Sequence, residues 1–226
     1  MPAGPVLAVA REHGATLTAL LAGALILSIG REMETARRHR PVVLDIPVNL
    51  RKHFQSATAR NFFGVVRVGY RFEKDTDLWE IVAQVDRQLK EELTVERLGR
   101  RMSSLTSLEH NLLTRAVPLF IKDVTLKFFY KMAERETTSS FSNLGRIDMP
   151  EQLQPYIRRF DVFVSTAGIQ ACACTYGDEL TISFTSAFAS TEICKNFFRL
   201  LARMEIPIEI VSNQIEGEEE KSDAVL

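Results

Sequence analysis

Residues 42–70 read VVLDIPVNLRKHFQSATARNFFGVVRVGY. Two apolar, β-branched runs, residues 42–48 and 62–70, flank a polar connection that carries Asn49, Arg51, Lys52, His53, Arg60 and Asn61. Runs of this kind, bounded by Pro and polar clusters, predict strands of a sheet. Polar groups gathered on the connection between two strands are where a rigid scaffold usually places function. A solvated basic loop is the competing reading of the same residues.

Upstream, residues 5–13 predict a short helix closed by Gly14. Thr16 or Thr18 then caps a longer one, LTALLAGALILSIGREMETARRH. Its first half is apolar nearly all round, which predicts burial on most sides. The basic cluster Arg37, Arg38, His39 and Arg40 complements the negative end of the helix dipole, and Pro41 stops the helix. Residues 14–30 form an uncharged run of 17 residues, at the short edge of what a bilayer needs. With Thr16, Thr18, Ser28 and three glycines inside it, a buried core helix is expected and a membrane span is not.

Downstream, Asp77 caps a helix with Leu78, Ile81, Val82, Val85 and Leu89 at helical spacing. Helical patterning continues to about residue 134, with breaks expected near Gly99 and Pro118. Residues 137–142 suit a strand, and residues 143–145 a turn in which Asn or Gly takes positive φ. PEQLQPYI predicts a short helix starting at Pro150. Residues 160–176 alternate enough for a long strand, Gly177-Asp178 for a tight turn, and residues 180–186 for the returning strand of a hairpin. Thr191 caps EICKNFFRLLARM, and IPIEIVS predicts a last strand. About six strands and five or more helices predict an α/β fold, a two-layer sandwich with a mixed β-sheet covered by helices.

The formal net charge of −1 argues against a general nucleic-acid binder. Charge is uneven: residues 1–60 carry eight Lys/Arg against four Asp/Glu, and the last eleven residues carry five acids and one Lys. Residues 214–226 therefore predict an acidic, disordered tail behind one domain, residues 1–213. Cys172, Cys174 and Cys194 point to a reducing, cytoplasmic setting rather than a disulfide framework. Two thiols on one strand face without a nearby His do not make a metal site.

No glycine-rich phosphate loop, nucleophile elbow or H-E-x-x-H motif is present. The four histidines are scattered, and only His53 lies in the central polar connection. Spacing alone assembles no catalytic centre.

The ordered segments GATLTALLAGALILSI, DIPVNLRKHF, TARNFFG and SNLG, closed by NFFRLLARMEIPIEIV, resemble the C-terminal half of condensation-type acyltransferases. These share the chloramphenicol acetyltransferase-like fold; the likeness is greatest to the alcohol acetyltransferases and spans residues 5–213. Enzymes of that superfamily have two lobes with substrates meeting in a tunnel between them, and their base is a histidine in an HHxxxDG motif of the N-terminal lobe. No such motif stands here. The resemblance therefore implies a C-terminal lobe with no catalytic residue of its own, completed by a missing N-terminal lobe or self-associating through the bare interface. It implies acyl-CoA or acyl-pantetheine as co-substrate with no permanently bound cofactor, and an alcohol or amine as acceptor. It places Asn49, Arg51, Asn61, Ser142, Asn143 and Gly145 along the substrate tunnel, with Ser142 as a donor to the oxyanion or thioester and Gly145 beside the pantetheine arm. Plain structural roles compete: residues 143–145 shape a turn, and Arg51 pairs with Asp45 or a helix carboxylate. A non-catalytic binding or assembly module of the same fold is the alternative function.

Overall fold

A computed structural model of the chain describes residues 1–33, 40–73, 76–110 and 117–213. Its first helices are α1 (Ala3–Glu12) and α2 (Leu17–Glu32). Gly14, at φ +66°, makes the turn between them, and Thr16 is the cap, its Oγ1 accepting from the Ala19 N–H at 3.2 Å. Every residue from 19 to 30 of α2 is buried, as an all-round apolar surface requires. The basic cluster at 37–39 and the acidic tail at 214–226 lie outside the described residues.

Strands β1 (Val42–Asn49) and β2 (Phe63–Tyr70) follow, then helices α3 (Leu78–Glu92), α4 (Val95–His110) and α5 (Leu119–Glu136). Strand β3 (Ser139–Arg146), the hairpin β4 (Ile169–Tyr176) and β5 (Glu179–Ser186), and helix α6 (Glu192–Ala202) complete the order. The sheet runs β2-β1-β3-β4-β5. β1, β3 and β4 are parallel to one another; β2 and β5, at the edges, are antiparallel to their neighbours.

Val42, Leu44 and Ile46 of β1, Val66, Val68 and Tyr70 of β2, Phe141 of β3, and Ala171 and Ala173 of β4 are buried on the helix-covered face. α2 packs against β1, α3 and α6, so one helix spans the layer. The α3 stripe is the expected one, Leu78, Ile81, Val82, Val85 and Leu89, joined by Asp86. Asp86 is only 7% exposed in its side chain and pairs with Lys90. It also accepts from the N–H and the hydroxyl of Thr16, both at 3.1 Å, tying α3 to the start of α2.

Side chains engage part of the β2 edge. Gln88 accepts from the Gly69 N–H at 2.8 Å, while Gln84 and Gln88 donate to the Gly69 carbonyl at 3.0 Å. Arg101 donates to the Val65 carbonyl at 2.8 Å. Each engaged group makes the edge a poorer template for another strand.

Several expectations change. Gly99 sits inside α4, because a single glycine costs a helix only about 1 kcal/mol; the break falls at residues 93–94. PEQLQPYI forms turns and one 3-10 turn, Gln154–Tyr156. The strand expected from residue 160 begins at Ile169. IPIEIVS is not a strand: Ile206 is buried as an anchor, but the segment pairs with no strand. Thr191 stands at the N-cap of α6 without a side-chain cap bond, and Ser190 Oγ accepts from the Glu192 N–H instead. Among the described residues five strands form, where about six were expected.

Two stability measurements test this packing. A Cβ on Gly23 would sit 2.6 Å from Val82 Cγ2 and 3.3 Å from the Val82 Cα and N. Gly23→Ala should therefore lower urea stability by about 1–3 kcal/mol as α2 and α3 are pushed apart; an unchanged midpoint would contradict the contact. Burial by itself pushes the Asp86 carboxyl up, but hydrogen bonds from Lys90 and Thr16 outweigh it and hold the group below its ordinary value. A lowered folded pKa gives stability that is fully present above the unfolded carboxylate value of about 3.9 and is lost as pH falls through the folded value. Asp86→Asn should flatten that acid-side decline in a pH series of thermal midpoints.

Candidate functional site

All three parallel strands end at one edge of the sheet, and β2, running the other way, begins there. Asn49 is the last residue of β1 and pairs with Phe63 at the start of β2. Asn61 lies two residues before that strand, and residues 142–145 lie toward the end of β3. The topology thus gathers Asn49, Arg51, Asn61, Ser142, Asn143 and Gly145 at the C-terminal ends of the parallel strands, where open α/β sheets bind ligands.

That end is also where the sheet parts. The β1–β3 ladder comprises only Leu44↔Ser139 and Asp45↔Ser140. Beyond it, residues 46–49 and 142–145 run on outside that ladder.

Local chemistry shapes the connection on the β1 side. The Asn49 side chain accepts from the Arg51 N–H at 3.0 Å, starting the 3-10 turn Leu50–Lys52. Leu50 is buried and fastened at both ends, its N–H to the Phe62 carbonyl and its own carbonyl to Phe54 N–H. Arg51 donates from Nη2 to the carbonyls of Thr58 and Arg60, at 3.0 and 2.5 Å. Its guanidinium therefore organises the loop and pairs with no carboxylate among the described residues. Asp45 is held instead by Arg67 Nε at 3.1 Å and by the Thr137 hydroxyl at 3.0 Å, with Glu136 on the other side of Arg67. Asn61 is exposed and makes no side-chain hydrogen bond to the described residues.

On the β3 side, alternation separates neighbours. Phe141 and Asn143 face the helices; Ser140 and Ser142 face the opposite, open side. Asn143 donates from Nδ2 to the Thr18 hydroxyl at 2.9 Å and accepts from the Gly145 N–H at 2.9 Å, joining β3 to the first turn of α2. These bonds account for Asn143 structurally. Ser142, half-buried on the open face opposite Cys172, makes no side-chain hydrogen bond to the described residues. A register shift lies between Asn143 and Arg146. Within it Gly145 takes φ +77°, and nothing lies within 4 Å of where a methyl group on its Cα would stand. The glycine is required by backbone conformation, and it leaves the strand end bare.

The open face continues onto β4, where residues 157–168 cross it. Cys174 Sγ meets the Phe160 carbonyl at 3.3 Å, and Phe160 packs edge-on against Tyr176. Burial pushes the thiols of Cys172, Cys174 and Cys194 up, so they stay protonated and poorly nucleophilic. His13, far in sequence from this end of the sheet, stacks on Trp79 at 3.4 Å between ring centroids and donates from Nδ1 to the Val9 carbonyl. Among the described residues, no group of three or more His, Cys, Asp or Glu is placed to hold a metal ion. No single described helix is long and apolar enough to cross a membrane; α1 and α2 together pass that test but meet at 87°.

A family profile described as "Phthiocerol/phthiodiolone dimycocerosyl transferase C-terminus" matches residues 4–184. No curated protein sequence matches the chain. Among solved structures, polyketide synthase associated protein 5 from Mycobacterium tuberculosis superposes with a TM-score of 0.55 at 16% identity, over 88% of this chain and 47% of that one. The epimerization domain from the third module of tyrocidine synthetase B gives 0.56 at 15% identity, over 89% and 45%. The wax ester synthase/diacylglycerol acyltransferase from Marinobacter aquaeolei VT8 gives 0.53 at 12%, over 91% and 46%. At these identities the likeness is one of fold, that of a condensation-type, chloramphenicol acetyltransferase-like lobe. The chain spans about half the length of the structures it matches.

Substitution separates the structural side chains from the free ones. Asn143→Ala should cost about 1–2 kcal/mol by leaving Thr18 and the Gly145 N–H without their partner. Ser142→Ala should stay within about 0.5 kcal/mol of the parent, as surface changes do. Equal losses for both, measured by chemical denaturation, would contradict this division.

Proposed function

Because the chain belongs to the phthiocerol/phthiodiolone dimycocerosyl transferase C-terminus family, we propose that it forms one wall of an acyl-transfer site. The other wall, with the HHxxxDG histidine, belongs to a second lobe. The acyl group arrives as a thioester of CoA or of a carrier's pantetheine and leaves on a small-molecule acceptor. The family's description favours a hydroxyl over an amine as that acceptor. The observation that carries the reading is the end of the sheet beyond the short β1–β3 ladder, where Asn49, Asn61, Ser142 and Gly145 collect, in a chain about half as long as the structures it matches.

The chemistry follows from those groups. The neutral histidine of the second lobe takes the acceptor's proton as its oxygen attacks the thioester carbonyl. A tetrahedral oxyanion forms, then collapses as the C–S bond breaks, and the thiolate leaves with the proton from the imidazolium. Ser142, uncommitted on the open face, is the hydroxyl that donates to that oxyanion. Gly145, with no side chain in the way, lets the pantetheine arm lie along the end of β3. Arg51 acts at one remove, holding residues 58–60 in place and with them Asn61 at this end of the sheet. Protonated buried thiols suit a cytoplasmic setting, which belongs to the same proposal.

Reconstitution tests the reading. The chain is mixed with a separately produced N-terminal lobe, containing the HHxxxDG histidine, from a full-length member of the family. Free thiol is then followed with long-chain acyl-CoA and an alcohol. Neither part alone should turn over, and the mixture should. Ser142→Ala in the mixture should lower kcat by about 10²-fold with little change in KM, the size expected for one lost oxyanion donor. A bound, folded pair that turns over no thioester with any acceptor would overturn the proposal.

A further inference from the structure

The end of β3 holds an irregularity that its neighbouring strand does not support. β3 pairs with β4 at Ser142↔Cys172 and Asn143↔Ala173 and again at Arg146↔Thr175, three steps on β3 against two on β4. One extra residue is therefore accommodated directly after Ser142 and Asn143, with Gly145 at φ +77° inside it. A bulge of this kind takes groups out of the ladder and re-aims the strand. Here the Gly145 N–H is received by the Asn143 side chain, whose Oδ1 accepts it at 2.9 Å.

That bond settles the orientation of the whole amide. With Oδ1 committed to an N–H, Nδ2 donates to Thr18 Oγ1 at 2.9 Å. An amide nitrogen only donates, so the position facing it has to supply an acceptor, and Thr18 does. Thr18 is mounted on a fixed helix end. Two residues earlier, Thr16 Oγ1 accepts from the Ala19 N–H at 3.2 Å, while the Thr16 N–H and hydroxyl both reach Oδ1 of the buried Asp86 on α3 at 3.1 Å. From residue 19 to residue 30 α2 is buried at every position. β3 is not among the elements that α2 chiefly packs against, which are α1, α3, α6 and β1. The bond between Thr18 and Asn143, 125 residues apart in sequence, is thus a specific tie between the two elements.

We infer, on the basis of the acyl-transfer reading, that Thr18 is a positioning residue for that site: its oxygen holds the Asn143 amide, the amide holds the bulge at Gly145, and the bulge fixes the end of β3 that presents Ser142. Ser142 lies outside the β1–β3 ladder, so β4 and the tied bulge give it its place. An oxyanion donor has to be held within about 0.5 Å of its productive position. Thr18 stands on the helix-covered side of the sheet and Ser142 on the open side, so the hydroxyl acts through the strand and touches no reacting atom.

The test uses the full chain, alone and mixed with the N-terminal lobe of a full-length family member. Thr18→Val keeps the shape of the side chain and removes its oxygen. Thr18→Ala, a better helix former, is a second removal that leaves the first turn of α2 undisturbed. Thr18→Ser keeps the oxygen. In the chain alone, amide exchange at Gly145 should quicken at least about tenfold in both removals, beyond any change at Ile26 and Val82, whose buried amides report global opening. In the mixture, kcat with long-chain acyl-CoA and an alcohol should fall about tenfold with little change in KM, the cost of a small misplacement of a reacting group. Thr18→Ser should restore both readouts. A purely structural role would lower the denaturation midpoint and move neither. Gly145 exchange that merely follows Ile26 and Val82 in both removals overturns the inference, and so does an undiminished kcat in a mixture whose parent turns over. A parent mixture that associates and folds but turns over no thioester overturns the acyl-transfer reading itself, and this role of Thr18 with it.

Discussion

The lobe depends on a helix with no wet side. α2 is buried at every position from 19 to 30, and full burial of a Leu or Ile contributes about 1.5–3 kcal/mol each. Such a helix is stable only if something packs on all of it. The chain supplies α1 on one side, α3 and α6 on two others and β1 beneath. Small residues set the distances: Gly23 admits Val82, and Gly30 admits the ring of Phe72. Ser28, the one buried hydroxyl in the run, donates to the Ala24 carbonyl at 2.7 Å, so the helix carries no unsatisfied polar group inward. The same helix reaches the candidate site, because Thr18 in its first turn receives Asn143.

The site follows from how the sheet is covered. Helices take one face, and strand alternation sends the polar and small side chains Asp45, Arg67, Ser140, Ser142 and Cys172 to the other. Parallel connections then bring the ends of β1, β3 and β4 to one edge. Residues that are neighbours in sequence are divided between the two faces: Asn143 bonds to Thr18 and the Gly145 N–H, and Ser142 stands on the open face. Arg51 illustrates the same economy of roles, since its charge is directed at carbonyls of its own loop.

Much of this was legible from residue order. The caps Thr16 and Asp77, the α3 stripe, the hairpin at Gly177 and both strands around residues 49–62 follow from local rules that the tertiary structure leaves alone. The two misread strands share one cause. Residues 160–168 and 206–212 alternate as strands do, but alternation describes a chain that could pair, and pairing needs a free edge in reach. Phe160 is drawn over Cys174 on the open face, and residues 206–212 are anchored by Ile206 and pair with no described strand. The partners of Arg51 and Asp45 were hidden for a related reason. Which carboxylate or carbonyl a guanidinium meets depends on loop closure, and spacing along the chain does not encode it. Neither does the strand offset within residues 143–146, which fixes the faces of Ser142 and Asn143 at the end of β3.

The two-rung ladder between β1 and β3 has a mechanical meaning. It divides the sheet into two blocks, β2-β1 with α3 and β3-β4-β5 with α6, each internally well bonded and joined by few backbone hydrogen bonds. α2 rests on both and is the strap across the joint. Opening along this seam would break fewer ladder pairs than parting β1 from β2 or β4 from β5, and α2 keeps the blocks in register.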